Sequence, residues 1–164
     1  MPLIPILNPV ARRPMAWSEQ QYVSAPGVAL CVVAAAGGVA LDIPLVVLVN
    51  NNSASSAEIL AGALKDAKRA RLIGEPTFGT ATVLRTFNLN DGAQVRIGTT
   101  QWLTPNGQVV RGKGIQPDEL ISLSPDVRPL SPANAAQLDP QALLQSDDAQ
   151  LVRALEVLNA IAAK

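Results

Sequence analysis

The chain contains no histidine, so it lacks both the commonest general base and the commonest metal ligand. A Ser-His catalytic arrangement is therefore excluded within one subunit. A single cysteine, Cys31, excludes an internal disulfide and a cysteine–histidine metal cluster, and no metal or other cofactor is expected. Its neighbours Leu30, Val32 and Val33 predict a buried thiol. Aromatic residues make up 3% of the chain, too few for a base-stacking platform. Thirteen basic side chains balance thirteen acidic ones, so no excess charge points to nucleic acid or to an anionic membrane surface. The apolar run Val28–Ala36 is about half the ~20 residues of a membrane span, and Gly37-Gly38 ends it. A signal peptide is not evident, because Pro14, Trp17, Ser18 and Glu19 leave no uninterrupted apolar region after Arg12 and Arg13.

The chain is rich in apolar sequence, 48% of 164 residues, enough for one core and one domain. The organising stretch is Leu45 to Leu84. Leu45-Val46-Val47-Leu48-Val49 is a continuous apolar run the length of one strand. Asn50-Asn51-Asn52 and Ser53-Ala54-Ser55-Ser56 make a polar turn. Ile59, Leu60, Ala63, Leu64 and Ala67 then recur at helical spacing, and Leu72-Ile73 runs to Gly74. Strand, helix and strand within roughly thirty residues predict a βαβ unit with a buried parallel pair.

A serine on that strand-to-helix turn has two readings. It can cap the helix, as Ser and Asn commonly do. Alternatively, it can be a nucleophile presented beside unpaired helical N–H groups at the positive end of the dipole. The turn by itself leaves both open.

Three blocks bear on the choice: V-N-x-x-S-A-S-S-A-E-I from Val49, I-G-E-P-T-F-G from Ile73 and T-P-N-G-Q-V-V-R-G-K-G-I-Q-P-D from Thr104. In order and spacing they resemble the carboxyl-terminal processing (tail-specific) serine peptidases, over roughly Pro44 to Leu123. Asp148 to Leu151 with Arg153-Ala154-Leu155 echoes that family's last helix. The resemblance implies an α/β core of the ClpP/crotonase-like kind and hydrolysis of peptide bonds near protein C-termini. It places the nucleophile on Ser55 and an oxyanion donor on the Ser56 backbone N–H. The family's general base is a lysine directly after the F-G of the second block, oriented by a glutamine four residues on. Here those positions hold Thr80 and Leu84.

Threonine has no useful basicity at neutral pH, and leucine cannot orient a partner by hydrogen bonding. Lys65 and Lys68 lie about 15 Å or more along the helix from Ser55 at 1.5 Å per residue, and read as its solvated face. Lys113, between Gly112 and Gly114, is the remaining lysine to weigh; its other reading is a loop residue between turn glycines. Two functional readings stand, an impaired serine peptidase and a non-catalytic peptide-binding relative. An acyl-CoA enzyme of the crotonase type rests on fold analogy alone. The family's PDZ domain and glycine-rich oxyanion segment are not recognisable, and Asn8-Pro9 does not supply one. Family members are usually exported, so the chain reads as the downstream part of something longer, or else as a cytoplasmic protein.

The segments divide as 1–42 (irregular and strand), 43–123 (peptidase-like core), 124–145 (proline-rich connection) and 146–164 (C-terminal helix). Met1 to Pro14 is proline-punctuated, and Gln20–Val23 and Val28–Ala35 read as strands about Ala25-Pro26-Gly27. Thr82–Asn88 and Ala93–Trp102 read as a hairpin about Asn90-Asp91-Gly92. Val109-Val110 reads as a short strand, Gly112–Asp118 as a loop, and Ile115 as a plug into the core. Ser124 to Pro140 reads as an extended surface connection. From Ser146 a helix is predicted with Asp147 and Asp148 in its first turn and Lys164 at its end. Its stripe of Leu151, Val152, Leu155, Leu158, Ile161 and Ala162 docks on the core or forms a homodimer surface.

Overall fold

The computed structural model describes residues 16–21, 29–33 and 42–162. The Met1–Pro14 segment, Asn8-Pro9, residues 22–28 and the surroundings of the Cys31 side chain lie outside the described residues. Elements run in the order β1 (Ala16–Gln21), β2 (Ala29–Val33), β3 (Val46–Val49), α1 (Ser56–Asp66), β4 (Arg71–Gly74), β5 (Thr82–Asn88), β6 (Gln94–Leu103), β7 (Glu119–Leu120), α2 (Pro132–Ala135), α3 (Pro140–Leu144) and α4 (Ala149–Ala162).

The βαβ unit is present: β3 and β4 pair in parallel with Val46 opposite Arg71 and Val49 opposite Gly74. A third parallel strand, β7, extends the sheet in the order β3-β4-β7. Successive side chains of a strand alternate between faces, and both faces here are apolar. On one, Val49 and Leu72 join Ala61, Ala63, Ala81, Trp102, Val110 and Ile115 in a buried core. On the other, Ile73 packs with Ala154 and Val157 of α4, with Val46 and Ile121 beside them. An unbroken apolar run is what a strand covered on both sides requires. Ile115 does plug into the core, at 5% exposure.

A second sheet, in the order β2-β1-β6-β5, is antiparallel throughout. The predicted hairpin forms between β5 and β6, closed by Leu89 N–H to Ala93 O at 2.8 Å with Gly92 at φ 83°.

Several expectations need correction. β1 begins at Ala16, four residues before the predicted strand, because Trp17, Ser18 and Glu19 pair with β2 on one side while Ser18 and Glu19 also pair with β6 on the other; pairing on two sides overrides a polar local sequence. Val109 makes only a single bridge to Leu103. The 124–140 connection is not wholly extended, since α2 lies within it and α3 starts at Pro140. Their caps explain this: Ser131 accepts from the Asn134 amide and Asp139 from the Gln141 and Ala142 amides, each followed by proline at the first helical position. α4 has no acidic residue in its first turn. Asp148 instead caps it, Oδ1 accepting from the Leu151 amide at 3.0 Å while Oδ2 holds the Leu130 amide at 2.8 Å. The face of α4 that is most buried is Gln150, Ala154 and Val157, displaced from the leucine-rich stripe. On α1 the buried face is Glu58, Ala61, Gly62, Ala63 and Leu64, while Leu60 is exposed.

Candidate active site

β3 delivers the chain to a turn held by side chain-to-backbone bonds. The Asn52 amide donates to Asn50 Oδ1 (2.9 Å), and the Asn50 amide donates to Ser53 Oγ (3.1 Å). Ser53 N–H returns to Asn50 O at 2.9 Å. Asparagine and serine build such turns because their short polar side chains mimic a backbone turn.

Ser55 comes next, at the N-cap of α1, with φ 55° and ψ −117°. That region is sparsely populated by any residue with a Cβ and costs of order 1–3 kcal/mol where it occurs. Ser55 and Glu58 occupy the two positions of a capping box. The bond that holds it runs from the Ser55 amide to Glu58 Oε2 at 2.9 Å. The Ser55 side chain faces the Glu58 amide as the box requires but makes no cap hydrogen bond of full geometry, so the capping and nucleophile readings both stand. Ser55 and Ser56 are exposed. The amides of Ala57, Glu58 and Ile59 donate to the Ala54 and Ser55 carbonyls at 3.0–3.2 Å, whereas the Ser56 N–H has no acceptor among the described residues.

Glu58 is the residue that sequence reasoning missed. Its carboxylate is fully buried. Oε1 accepts the Thr77 hydroxyl at 2.6 Å and the Gly79 amide at 2.5 Å, and Oε2 accepts the Thr80 amide at 3.0 Å as well as that of Ser55. Four donors on one carboxylate compensate the cost of burying it. Thr77 Oγ1 also accepts the Ile115 amide at 2.7 Å, so the network reaches the third sequence block. The signal for it was the Ser55-x-x-Glu58 spacing.

Thr80 is therefore brought to Ser55. Because both amides share Oε2, their nitrogens lie within about 6 Å of each other. Leu84 is not drawn into this network; it is 58% exposed on β5, at a register shift between Val83 and Leu84. Lys65 is half-buried and tethered, its Nζ donating to Gln116 O at 2.6 Å and pairing with Asp118 at 3.2 Å, whereas Lys68 is exposed as expected. Lys65 and Lys68 line a cleft of about 490 Å³ at the far end of α1 from Ser55. Lys113 is exposed, on a loop packed against Gly79. Gly79 (φ 85°) and Gly114 (φ 68°) allow that approach: a Cβ on Gly79 would stand 2.8 Å from the Gly114 nitrogen, and one on Gly114 would strike the Thr77 carbonyl. Among the described residues no three His, Cys, Asp or Glu side chains are grouped to hold a metal ion. No described helix is long and apolar enough to cross a membrane.

A family model described as peptidase family S41 matches residues 11–121. The chain belongs to peptidase family S41. It is 47% identical over 85 residues to a carboxyl-terminal-processing protease of Synechocystis sp., covering 52% of this chain and 20% of that one. To a probable CtpA-like serine protease of Staphylococcus haemolyticus it is 41% identical over 92 residues, covering 56% and 18%. This S41 chain thus spans about a fifth of the length of the curated relatives it matches. Its structure is similar to that of a photosystem II D1 C-terminal processing protease, with TM-score 0.67 and 31% identity over 87% of this chain and 34% of the other. A peptidase structure from Parabacteroides merdae shares the fold, with TM-score 0.60 at 16% identity, covering 90% and 43%.

Proposed function

We propose that this S41 chain carries the nucleophile half of a serine peptidase site, built on a ClpP/crotonase-like core and directed at protein or peptide C-termini, with its hydrolytic step impaired. The observation that carries the reading is Ser55. It is exposed, in a strained backbone conformation, with a hydroxyl that makes no full cap hydrogen bond and an open N–H next to it. Strain of this kind concentrates at functional sites.

In the hydrolytic step, Ser55 Oγ bonds to the peptide carbonyl carbon, and the carbonyl electron pair moves onto its oxygen. The Ser56 N–H donates to that oxyanion at the positive end of α1. The hydroxyl proton must pass to a base and then to the departing amine, after which water releases the acyl group as a carboxylic acid. By resemblance the base belongs at position 80. Thr80 donates its amide to Glu58 but offers a hydroxyl that cannot accept the proton at neutral pH. Leu84 offers no hydrogen bond to orient one.

A fluorophosphonate probe tests the reading. Labelling of the wild-type chain at Ser55 is expected to be slow and to disappear in Ser55→Ala, and Thr80→Lys with Leu84→Gln is expected to speed it. Rapid wild-type labelling would show a base acting from elsewhere, and Lys113→Ala would then identify it or clear it. The second reading, a peptide binder without catalysis, is favoured by Thr80 itself. It predicts peptide binding that Ser55→Ala leaves unchanged, with no labelling at all.

A further inference from the structure

Among the described residues, the β5–β6 ribbon leaves an uncovered edge. β5 is the last strand of its sheet, and every side chain from Val83 to Asn88 is exposed. The Leu89 N–H donates across the hairpin to Ala93 O. Ladder bonds alternate along an antiparallel pair, so the amides and carbonyls of Thr86 and Asn88 point away from β6, to the open edge. Long exposed edges of this kind template the pairing of another extended chain.

The two faces of the ribbon differ. Arg85 and Phe87 stand opposite Ile97 and Val95, and together with Leu89 they form an apolar face whose Phe87, Leu89, Val95 and Ile97 are 39–50% exposed. Thr86 and Asn88 stand opposite Arg96 and Gln94 on a polar face, where Gln94 Nε2 donates to Asn88 Oδ1 at 3.0 Å. Each face carries one arginine, and neither Arg85 nor Arg96 has an ion-pair partner among the described residues. The sole carboxylate of the ribbon, Asp91, accepts the Ala93 amide at the tip. At its other end β5 is tied to the site, since the Thr82 hydroxyl donates to Thr80 O at 2.8 Å.

We infer that the β5 edge captures an extended peptide as an added strand, and that this peptide alternates apolar with acidic residues. Main-chain bonds to Thr86 and Asn88 hold it, its apolar side chains continue the Phe87 face, and its carboxylates, on the opposite face, are drawn to Arg96. The inference rests on the peptidase reading only in that it leads the captured chain toward Ser55.

Amide exchange measured by NMR on the intact 164-residue chain tests it. The probes are capped octapeptides alternating valine with glutamate, or valine with lysine. The valine–glutamate peptide is expected to slow exchange at Thr86 and Asn88 by roughly tenfold or more, and the valine–lysine peptide to leave it unchanged. Thr86→Pro removes one edge donor where an edge strand tolerates proline and is expected to weaken the protection. Arg96→Glu, which spares the backbone, is expected to invert the preference between the two peptides. Equal protection by both peptides, protection elsewhere, or protection that rises with protein concentration without peptide overturns the proposal. Protection at Thr86 with no label at Ser55 keeps the edge and sinks the peptidase reading.

Discussion

Ser55 and Glu58 divide the work of the turn: one residue is held in an unfavourable backbone conformation and the other holds it there. Glycine adopts φ 55°, ψ −117° far more readily than serine. Ser55→Gly is therefore expected to stabilise the fold by about 1 kcal/mol, seen as a higher urea midpoint at unchanged slope. Ser55→Ala keeps the strain and removes a hydroxyl that makes no full cap bond, so a change within about 0.5 kcal/mol is expected. A loss near the ~1 kcal/mol of a broken cap would favour the capping reading over the nucleophile. Glu58→Gln is close to isosteric, yet its NH2 group would face N–H or O–H donors where Glu58 now accepts from four. Leaving buried donors unsatisfied costs about 1–3 kcal/mol each, so a loss of at least ~2 kcal/mol is expected by urea titration. The candidate nucleophile was legible from its motif. Glu58 was readable only as the partner of Ser55 in a capping box; its burial was not, because the donors Thr77, Gly79 and Thr80 come from a separate segment of the chain.

At the scale of elements, sequence pattern succeeded where local chemistry decides. An apolar run, a helical stripe and a second apolar run foretold β3, α1 and β4, and Asn90-Asp91-Gly92 foretold the hairpin. It failed where the partner decides. β1 is a strand because β2 and β6 flank it, and β7 because Glu119 and Leu120 pair with Ile73 and Gly74; neither has a pattern of its own. The short helices α2 and α3 were readable from Ser131-Pro132 and Asp139-Pro140, although the prolines nearby suggested an extended chain instead. Strand β7 also clamps two elements. Glu119 pairs with Arg153 of α4 at 2.7 Å and Arg71 of β4 at 3.2 Å. The hydrogen bond from Arg153 is the main cause that holds its carboxyl below the ordinary value of 4.5. A folded-state pKa below the unfolded one gives stability that is present above about pH 4.5 and lost as pH falls through the lowered value. Glu119→Gln is accordingly expected to flatten the fall of urea midpoint on acidification below pH 4.5. An unchanged slope would mean that the two arginines do not tune this carboxyl.

Across the whole molecule, stability should be as uneven as burial. The parallel sheet is covered on both faces, by α1 with its neighbours and by α4, and Leu72 and Ile73 are wholly inaccessible at its centre. By contrast, Val83 to Gly98 project as a two-stranded ribbon exposed on both faces. A two-stranded ribbon without a packed face is marginal by itself. The hydrogen-bonded amides of β5 and the first half of β6 are therefore expected to exchange through local opening, well before those of β4, which should require global unfolding. Leu72→Ala, which empties a site packed on every side, is expected to cost about 2–5 kcal/mol. That loss should speed exchange throughout β4 by the corresponding factor and leave the ribbon amides almost unchanged. Should the ribbon slow and quicken together with Leu72, the two sheets would be one cooperative unit, and the β5 edge would be held more rigidly than its exposure implies.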